Sequence, residues 1–222
     1  DPRQPDGPVM SSYRLQTAGA CPLRFYFKYV LRIEPPEEFE YDPDEWLDAL
    51  ERGSLLHEVF RDFMEGFLGD ERAPNPDRDM EDMREVLWRH IEAYRQEVPP
   101  PREDLVESTR RELEEACYIF LAGQRELYGR GRPRFLEASL GMGSPDYETG
   151  LDSARPVSVR LEDGSTIRLR GRLDRVDEVK EVNGREYSVW DYKTGSTSRY
   201  EKDGDLFDEG RFVQHALYLE MA

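Results

Sequence analysis

The chain has 222 residues, of which 48 are acidic and 31 basic, so its formal net charge is −17. Its two cysteines are too few for a disulfide scaffold and fit a reducing compartment, which predicts a cytoplasmic protein. No run of about 18 apolar residues is present, so no membrane-spanning segment is predicted. The large negative charge argues against nucleic-acid binding, because phosphate contacts need a basic surface.

The N-terminal part, residues 1–130, is predicted to be mostly helical and carries most of the acid excess. Apolar side chains recur at helical spacing, and proline-rich stretches separate the helices. A serine at position 11 or 12 is predicted to cap the first helix, and a break is expected near Pro22. The predicted helices cover residues 12–29, 44–68, 81–97 and 103–128.

The C-terminal part, residues 131–222, is predicted to hold a β-sheet and one further helix. Apolar and polar residues alternate over short runs, and Asp-Gly and Asn-Gly pairs indicate turns between them. A three-residue loop over 163–165 is predicted to pair Val159 with Leu169. The predicted strands cover 135–140, 156–161, 166–177 and 186–194, and the helix covers 211–222. We expect residues 1–130 and 131–222 to form one domain of a longer protein, because the last helix has no stop signal.

The Asn183-Gly184 pair fits a two-residue hairpin turn, which fixes the pairing of the strands on either side. In that register Lys193 lies opposite Asp174, and Asp191 lies opposite Val176, one diagonal step from Asp174. The two-residue period of a strand puts Asp191 and Lys193 on one face. Two carboxylates and one ammonium group are therefore predicted to converge on one patch of the hairpin.

This patch has two interpretations. Two carboxylates on adjacent strands suit a hard divalent cation such as Mg²⁺, and a nearby lysine can position water or stabilise charge on a phosphate. The alternative is a cross-strand salt bridge on a solvated sheet face. The mostly apolar run Val189-Trp190-Asp191-Tyr192 weakens this alternative, because a lone exposed acid is less expected there.

Residues 171–177, Gly-Arg-Leu-Asp-Arg-Val-Asp, followed by residues 191–195, Asp-Tyr-Lys-Thr-Gly, resemble the PD-(D/E)XK nuclease superfamily in its RecB-like branch. That branch includes the nuclease domains of RecBCD- and AddAB-type helicase–nucleases and the CRISPR-associated RecB-like exonucleases. Each motif is weak alone, but several occur in the family's order over residues 11–222. The others are Cys-Pro-x-x-Phe from Cys21, Gly-x-x-x-His ending at His57, Phe-Leu-Glu ending at Glu137, and Gln-x-x-x-Tyr from Gln214 to Tyr218.

The resemblance implies an α/β fold, namely a restriction-endonuclease-like core with a mixed central β-sheet flanked by helices, plus an N-terminal helical annex. It also implies Mg²⁺- or Mn²⁺-dependent hydrolysis of DNA, as an exonuclease on ends or single strands, in double-strand-break repair and recombination. The partner that the resemblance implies is a helicase motor in the same polypeptide or complex. No Walker A motif is present, so we expect these residues to contain no motor of their own. Two alternatives stay open: a catalytically silent module that binds DNA or a partner protein, and a metal hydrolase for another phosphate ester.

Roles for individual residues follow from the same resemblance. Lys193 would orient the attacking water or steady the transition-state charge, although it could instead be a structural partner of Asp174. Taken alone, a histidine at position 57 is also explained as a core residue, and a glutamate at 137 as an exposed strand residue. The implied metal ligands are the side chains of His57, Glu137, Asp174 and Asp191 and the backbone carbonyl of Tyr192.

Other side chains are predicted to line the site. Gln214 and Tyr218 share one helix face, and the resemblance implies that this face contacts the DNA backbone. The alternative is a helix face packed on the sheet. Arg172 and Arg175 are predicted as site-lining members of a phosphate-binding patch, with a charged outer sheet face as the alternative. The full predicted patch contains Arg160, Arg168, Arg170, Arg172 and Arg175.

Cys21 matches the first of four cysteines that bind a [4Fe–4S] cluster in many members of the family. The other three follow the Gln-x-x-x-Tyr helix there, whereas this sequence ends four residues after Tyr218. Cys117 lies on a predicted helix at the wrong place. A [4Fe–4S] cluster is therefore expected only if further cysteines lie beyond residue 222, and otherwise Cys21 is expected to pack in the fold.

Overall fold

The computed structural model describes residues 1–4, 7–36, 42–70, 72–143, 149–180, 185–195, 207 and 211–221. The helical segments before the first strand are α1 (Ser12–Ala20), α2 (Pro22–Phe25), a π-helical segment (Tyr26–Leu31), α3 (Ala49–Glu65), α4 (Pro76–Glu97) and α5 (Glu103–Leu127). They are followed by β1 (Gly131–Leu140), β2 (Val157–Arg160), β3 (Thr166–Leu169), β4 (Gly171–Lys180), β5 (Arg185–Trp190) and α6 (Gln214–Met221). Within these ranges no helix combines the length and the apolarity that crossing a membrane requires.

Local sequence signals set where the first helices begin. The Ser11 side chain accepts a hydrogen bond from the first turn of α1, as predicted, and Pro22 opens α2 after a break. Helix α3 begins with a capping box that was not predicted. Asp48 accepts a hydrogen bond from the Glu51 amide, and the Glu51 side chain accepts one from the Asp48 amide. This cap fixes the start of the helix that carries His57.

Strands β1, β4 and β5 form an antiparallel sheet in the order β1-β4-β5, and β2 and β3 form a separate antiparallel pair. Two isolated parallel bridges, Met10 to Leu169 and Leu140 to Ser153, join further segments to these strands. The predicted register of the β2–β3 hairpin is wrong by two residues, because Val159 pairs with Ile167 rather than with Leu169.

Two apolar cores flank the sheet with different helices. The first joins α3, α4 and α5 to Leu136 of β1. The second joins α6 and the β2–β3 pair to Ala138 of β1 and Leu173 of β4. The predicted α/β class, a restriction-endonuclease-like sheet with flanking helices, is confirmed.

The alternation of the central strands changes at two candidate site residues. Leu136 belongs to the first core and Ala138 to the second, although residues two apart in a strand normally face one side. Between them Glu137 has a φ of 52°. This left-handed conformation costs a non-glycine residue about 1–2 kcal/mol. On β4 the same change of side occurs at Asp174. Leu173 before it belongs to the second core, whereas Arg175 after it donates a hydrogen bond to Gln124 on α5.

The pairing of β4 with β5 also corrects the prediction by two residues. Val176 pairs with Val189, whereas the predicted two-residue turn required Asp191 at that place. Strand β5 ends one residue before Asp191, so Lys193 lies beyond the ladder and not opposite Asp174. The predicted Asn-Gly turn itself lies outside the described residues. Because the shift is an even number of residues, it leaves the predicted face of each side chain unchanged.

Candidate active site

An open cavity of about 630 Å³ lies beside the central sheet, between α3, α6 and the segment that follows β5. It brings together residues from distant parts of the chain, and nearly all the predicted site residues line it. The polar and charged residues that line it are Ser54, His57, Glu58, Arg61, Glu137, Arg172, Asp174, Asp191, Tyr192, Lys193, Thr194, Gln214 and Tyr218.

Three of the predicted metal ligands face one another in this cavity. His57 Nδ1 lies 3.6 Å from Asp174 Oδ2 and 4.0 Å from Glu137 Oε1. One ligand atom from each residue lies within 4.8 Å of the other two, and the described ranges contain no other such group of His, Cys, Asp and Glu side chains. An imidazole and two carboxylates form a donor set that suits Mg²⁺ or Mn²⁺, so the residues present fit a divalent cation.

The backbone of Tyr192 connects two of these ligands. Its amide donates a hydrogen bond to Asp174 Oδ2 at 2.7 Å, and its carbonyl lies 3.1 Å from His57 Nε2. Since a carbonyl can only accept, His57 Nε2 carries a hydrogen in this arrangement, and in the neutral ring Nδ1 keeps its lone pair toward the carboxylates. The carbonyl that was predicted as a metal ligand accepts this hydrogen bond from another predicted ligand, and its role as a metal ligand stays a prediction.

The predicted Asp-x-Lys pair forms a second group with the first residue of α6. Lys193 forms an ion pair with Asp191 and donates to Gln214 Oε1 at 3.3 Å. Gln214 Nε2 donates to Asp191 Oδ1 at 2.9 Å. The amide of Gln214 thus holds both charged groups at the cavity wall.

The carboxylate of Glu137 is only 13% exposed, and burial raises its pKa to about 7. The neighbouring Asp174 carboxylate adds to this rise, whereas His57, Arg172 and Arg61 oppose it. A carboxylate that is costly to ionise beside another carboxylate is typical of a site that receives a cation from outside the chain.

The pKa values of the other ligands shift for related reasons. Burial raises the pKa of Asp191, which the adjacent Lys193 ammonium opposes and the Asp174 carboxylate reinforces. Burial alone would lower the pKa of His57, but the hydrogen bond and charge of Asp174 outweigh this effect, so the pKa is raised. The raised pKa of His57 shows that the negative charge of the neighbouring carboxylates acts on its ring.

Two glycines allow the helices to approach the site closely. A Cβ atom on Gly53 would lie 3.1 Å from Thr194 Oγ1, and one on Gly171 would lie 3.1 Å from the ring of Tyr218. Tyr218 is buried against the sheet, while Gln214, one turn earlier, reaches the polar group described above. Both residues line the cavity, and Tyr218 also packs on the sheet. The contact of this helix face with DNA stays a prediction.

Arg175 was predicted to line the site, and this prediction is wrong. Its side chain is 0% exposed, pairs with Asp177 through two nitrogens and donates to Gln124 Oε1. Arg172 does line the cavity, with Nη1 3.8 Å from Glu137 Oε2. A period of two puts Arg172 on the face of Asp174 and Arg175 on the opposite face. The break in the alternation at Asp174 then turns Arg175 toward α5 instead of toward the second core, to which Leu173 belongs.

The remaining arginines of the predicted patch are not part of the cavity lining, so these strands do not form the expected phosphate-binding patch there. They lie on or next to the β2–β3 pair, at Arg160, Arg168 and Arg170.

Two charged residues of the cavity, Glu58 and Arg61 on α3, were not predicted from the sequence. The Arg61 side chain is 12% exposed and binds the carboxylate of Asp62, which also accepts a hydrogen bond from His90 on α4 if the facing ring nitrogen carries the hydrogen. The spacing of four residues from His57 to Arg61, which places side chains on one helix face, was the available signal.

Cys21 does not pack in the fold as its alternative role required. It is exposed, and its Sγ accepts a hydrogen bond from the Arg24 amide at 3.4 Å, which caps α2. Cys117 is buried within the first core, and burial raises the pKa of its thiol to about 12. The expectation about a [4Fe–4S] cluster stays a prediction.

Comparison with known proteins finds one matching family and several relatives that share one name. The family model of the PD-(D/E)XK nuclease superfamily matches residues 9–222. One subunit of the ATP-dependent helicase/deoxyribonuclease of Symbiobacterium thermophilum is 30% identical over 218 residues, which are 95% of this chain and 17% of that protein. The corresponding protein of Clostridium acetobutylicum is 28% identical over 214 residues, again 95% and 17% of the two proteins. That of Clostridioides difficile is 25% identical over 205 residues, or 85% and 16%.

The chain therefore spans 17% of the length of the first two curated relatives. The family match covers far more than half of the chain, and every motif that suggested it, except Cys-Pro-x-x-Phe, contributes residues to one cavity. The chain belongs to the PD-(D/E)XK nuclease superfamily.

Proposed function

We propose that this chain is a divalent-metal-dependent nuclease domain that hydrolyses phosphodiester bonds in DNA. The observation that carries this proposal is the convergence of His57, Glu137 and Asp174 donor atoms in one open cavity. Membership of the nuclease superfamily and the word deoxyribonuclease in the names of the relatives support it.

A cation in this cavity would be held by His57 Nδ1 and by the carboxylates of Glu137 and Asp174, with Asp191 beside them. The chemistry that Mg²⁺ or Mn²⁺ supplies at such a site is polarisation of the scissile phosphate and a lower pKa for water. The chain itself orients the atoms that would donate to the cation. Tyr192 fixes the ring of His57 and one oxygen of Asp174, so two ligands are oriented before a cation arrives.

Lys193 supplies the positive charge for the reacting phosphate. The ion pair with Asp191 and the hydrogen bond to Gln214 hold its ammonium group at the cavity wall. From there it stabilises negative charge that develops on the phosphate, and it can orient the attacking water.

Arg61 and Arg172 explain how a very acidic chain can bind a phosphate backbone. Both guanidinium groups line the cavity, on different elements, and both are near enough to Glu137 to lower its pKa. We assign them to the phosphates next to the scissile bond, because guanidinium groups bind phosphate through two parallel hydrogen bonds.

The type of cleavage, the process and the partner are inferred from the relatives. We propose exonuclease action on DNA ends or single strands in double-strand-break repair and recombination, with a helicase motor as the partner. The relatives are named as a subunit of an ATP-dependent helicase/deoxyribonuclease, and this chain matches only a part of each.

The test is a gel assay on end-labelled single- and double-stranded DNA with Mg²⁺ or Mn²⁺. The parent should degrade DNA only with metal, and Lys193→Ala should slow cleavage by about 10²- to 10³-fold, the usual effect of removing one transition-state donor. Lys28→Ala is the matched control, because Lys28 pairs with Glu34 away from the cavity and should leave the rate unchanged. The sizes of the products distinguish exonuclease from endonuclease action.

A folded parent that binds metal and DNA but leaves the DNA uncut would favour the catalytically silent module. A folded parent that binds no metal would contradict the proposal. Equal slowing in Lys193→Ala and Lys28→Ala would remove Lys193 from the reaction.

A further inference from the structure

The segment that carries Asp191 and Lys193 needs an anchor that the sheet does not supply. Strand β5 ends at Trp190, so the ladder with β4 does not reach these residues. Yet the backbone of Tyr192, between them, contacts both Asp174 and His57. The geometry of the candidate metal site therefore depends on where the peptide groups of Tyr192 lie.

The aromatic ring of Tyr192 is one anchor. Phe60 of α3 and Phe120 of α5 stack face to face, with ring centroids 3.9 Å apart and planes at 8°. The ring of Tyr192 stands edge-on to both, with centroid distances of 5.7 and 5.3 Å and interplanar angles of 82° and 81°. Edge-to-face contacts of this kind are worth about 0.5–1.5 kcal/mol beyond the burial of area, and here two of them restrict one ring.

The hydroxyl group of Tyr192 is the other anchor. It is buried and has no hydrogen-bond partner of good geometry within the described ranges. Burial raises the pKa of Tyr192, and the Arg175 guanidinium opposes this rise more strongly than any other group. The hydroxyl thus points into the charged group beneath the sheet.

Arg175 is itself held in place by burial and by charged and polar partners. Its guanidinium is completely buried, is paired with Asp177 on the same strand, and donates to Gln124 on α5. Because an unpaired charge cannot be left in the interior, this group cannot swing away without breaking the pair. It forms a rigid base on which the hydroxyl end of Tyr192 rests.

We propose that Tyr192 is the positioning residue of the site: its side chain, held between the Phe60–Phe120 pair and Arg175, sets the peptide groups that orient His57 and Asp174. The consequence for metal binding rests on the proposed function, whereas the orientation of His57 does not. A side chain in the interior thereby determines the geometry of ligands in an open cavity.

The experiment compares Tyr192→Leu and Tyr192→Phe with the matched pair Tyr128→Leu and Tyr128→Phe. Tyr128 is also buried, its hydroxyl also lacks a partner in the described part of the chain, and its ring centroid lies 5.7 Å from Arg175, but it does not line the cavity. The first measurement is the ¹⁵N chemical shifts of the His57 ring in the metal-free protein. It is made at about pH 8.5, above the ordinary pKa of histidine, so that the tautomer is read.

In the parent, His57 should be the Nε2–H tautomer, and the Tyr128 variants should keep it. Tyr192→Leu should give mixed tautomers and weaken Mn²⁺ binding by about tenfold, the lower end of the effect of losing an outer-shell partner. Tyr192→Phe, which keeps the ring, should show the same changes to a smaller degree, and it decides the matter if the leucine variant does not fold.

An unchanged tautomer and Mn²⁺ affinity in the folded Tyr192 variants would overturn the proposal, and so would equal losses in the Tyr128 variants. If the parent binds no Mn²⁺, the proposed function fails, but the tautomer of His57 still decides whether Tyr192 positions it.

Discussion

Strand β4 carries charged residues on two sides of the sheet. On one side opposite charges are paired, and on the other side negative charges lie close together. Beneath the sheet, Arg175 and Asp177 are both buried, and each neutralises the other. In the cavity, Asp174 instead faces Glu137 and His57, and burial raises the pKa of Glu137 to about 7. Charge that is balanced within the chain supports the fold, whereas negative charge gathered around a cavity is suited to an external cation.

The largest expected effect is a loss of stability when the buried pair of Arg175 and Asp177 is broken. Asp177→Asn leaves the Arg175 guanidinium buried without its anion, which should lower the free energy of unfolding by about 3–5 kcal/mol. Urea denaturation of the metal-free protein measures this loss. The cavity side supplies the control, because Asp174→Asn removes one of two adjacent carboxylates and should leave the stability unchanged or slightly raised. Equal losses in the two variants would show that both sides serve the fold alone.

The second effect is on activity and reverses the order of the two sides. Asp174→Asn should lower the rate of metal-dependent DNA cleavage by at least about 100-fold, because a neutral amide is a poor ligand for a hard cation. The gel assay measures this rate under single-turnover conditions. Asp104→Asn, at an exposed position that pairs with Arg102, is the control and should cleave like the parent. If the Asp174→Asn variant retained the parental rate, the carboxylate of Asp174 would not be needed for cleavage.

The third effect is the pH dependence that Glu137 imposes on the metal-free protein. Its pKa is about 7 in the folded state against an ordinary value of 4.5, so the folded state holds the proton more tightly. The associated stability is complete below pH 4.5 and is lost as the pH rises through 7, a change of about 3 kcal/mol. Unfolding experiments across this range should show a smaller decline for Glu137→Gln than for the parent. Parallel declines would contradict the raised pKa of Glu137.

Much of this contrast follows from the sequence. The spacing of Asp174, Asp191 and Lys193 predicted that two carboxylates and an ammonium group meet, and an error of two residues in the register preserved their faces because the period of a strand is two. The prediction for Arg175 failed because it treated the arginines of the sheet as one group, although a period of two puts Arg175 on the face opposite Asp174. The break in the alternation of β4 lies opposite the left-handed Glu137 on the paired strand, and no pattern within β4 reveals it.

The partners that complete each side were also hidden in the sequence. Gln124, which binds Arg175, lies 51 residues away from it, and the Tyr192 carbonyl lies 135 residues from His57. Contacts of this separation are fixed by how α3 and α5 pack on the sheet, so residue spacing alone cannot predict them. Arg61 differs, because its helical spacing from His57 was visible.

The smallest expected effect separates the backbone of Glu137 from its carboxylate. Glycine adopts the left-handed conformation without the penalty that a Cβ atom brings, whereas alanine retains it. Glu137→Gly should therefore be more stable than Glu137→Ala by about 1 kcal/mol in urea denaturation, although both lack the carboxylate. An alanine variant as stable as the glycine variant would show that the left-handed conformation is absent in solution.

The most direct test of the account is a calorimetric titration of Mn²⁺ into the parent, with Asp174→Asn as the comparison. We predict saturable binding of Mn²⁺ to the parent and affinity at least about 100-fold lower in the variant. Losing a residue that only supports a metal ligand costs about 10- to 100-fold in affinity, and losing a direct ligand should cost at least as much. A folded parent that takes up no Mn²⁺ at millimolar concentration, or a variant that binds it equally well, would contradict the claim that these residues gather charge for a cation.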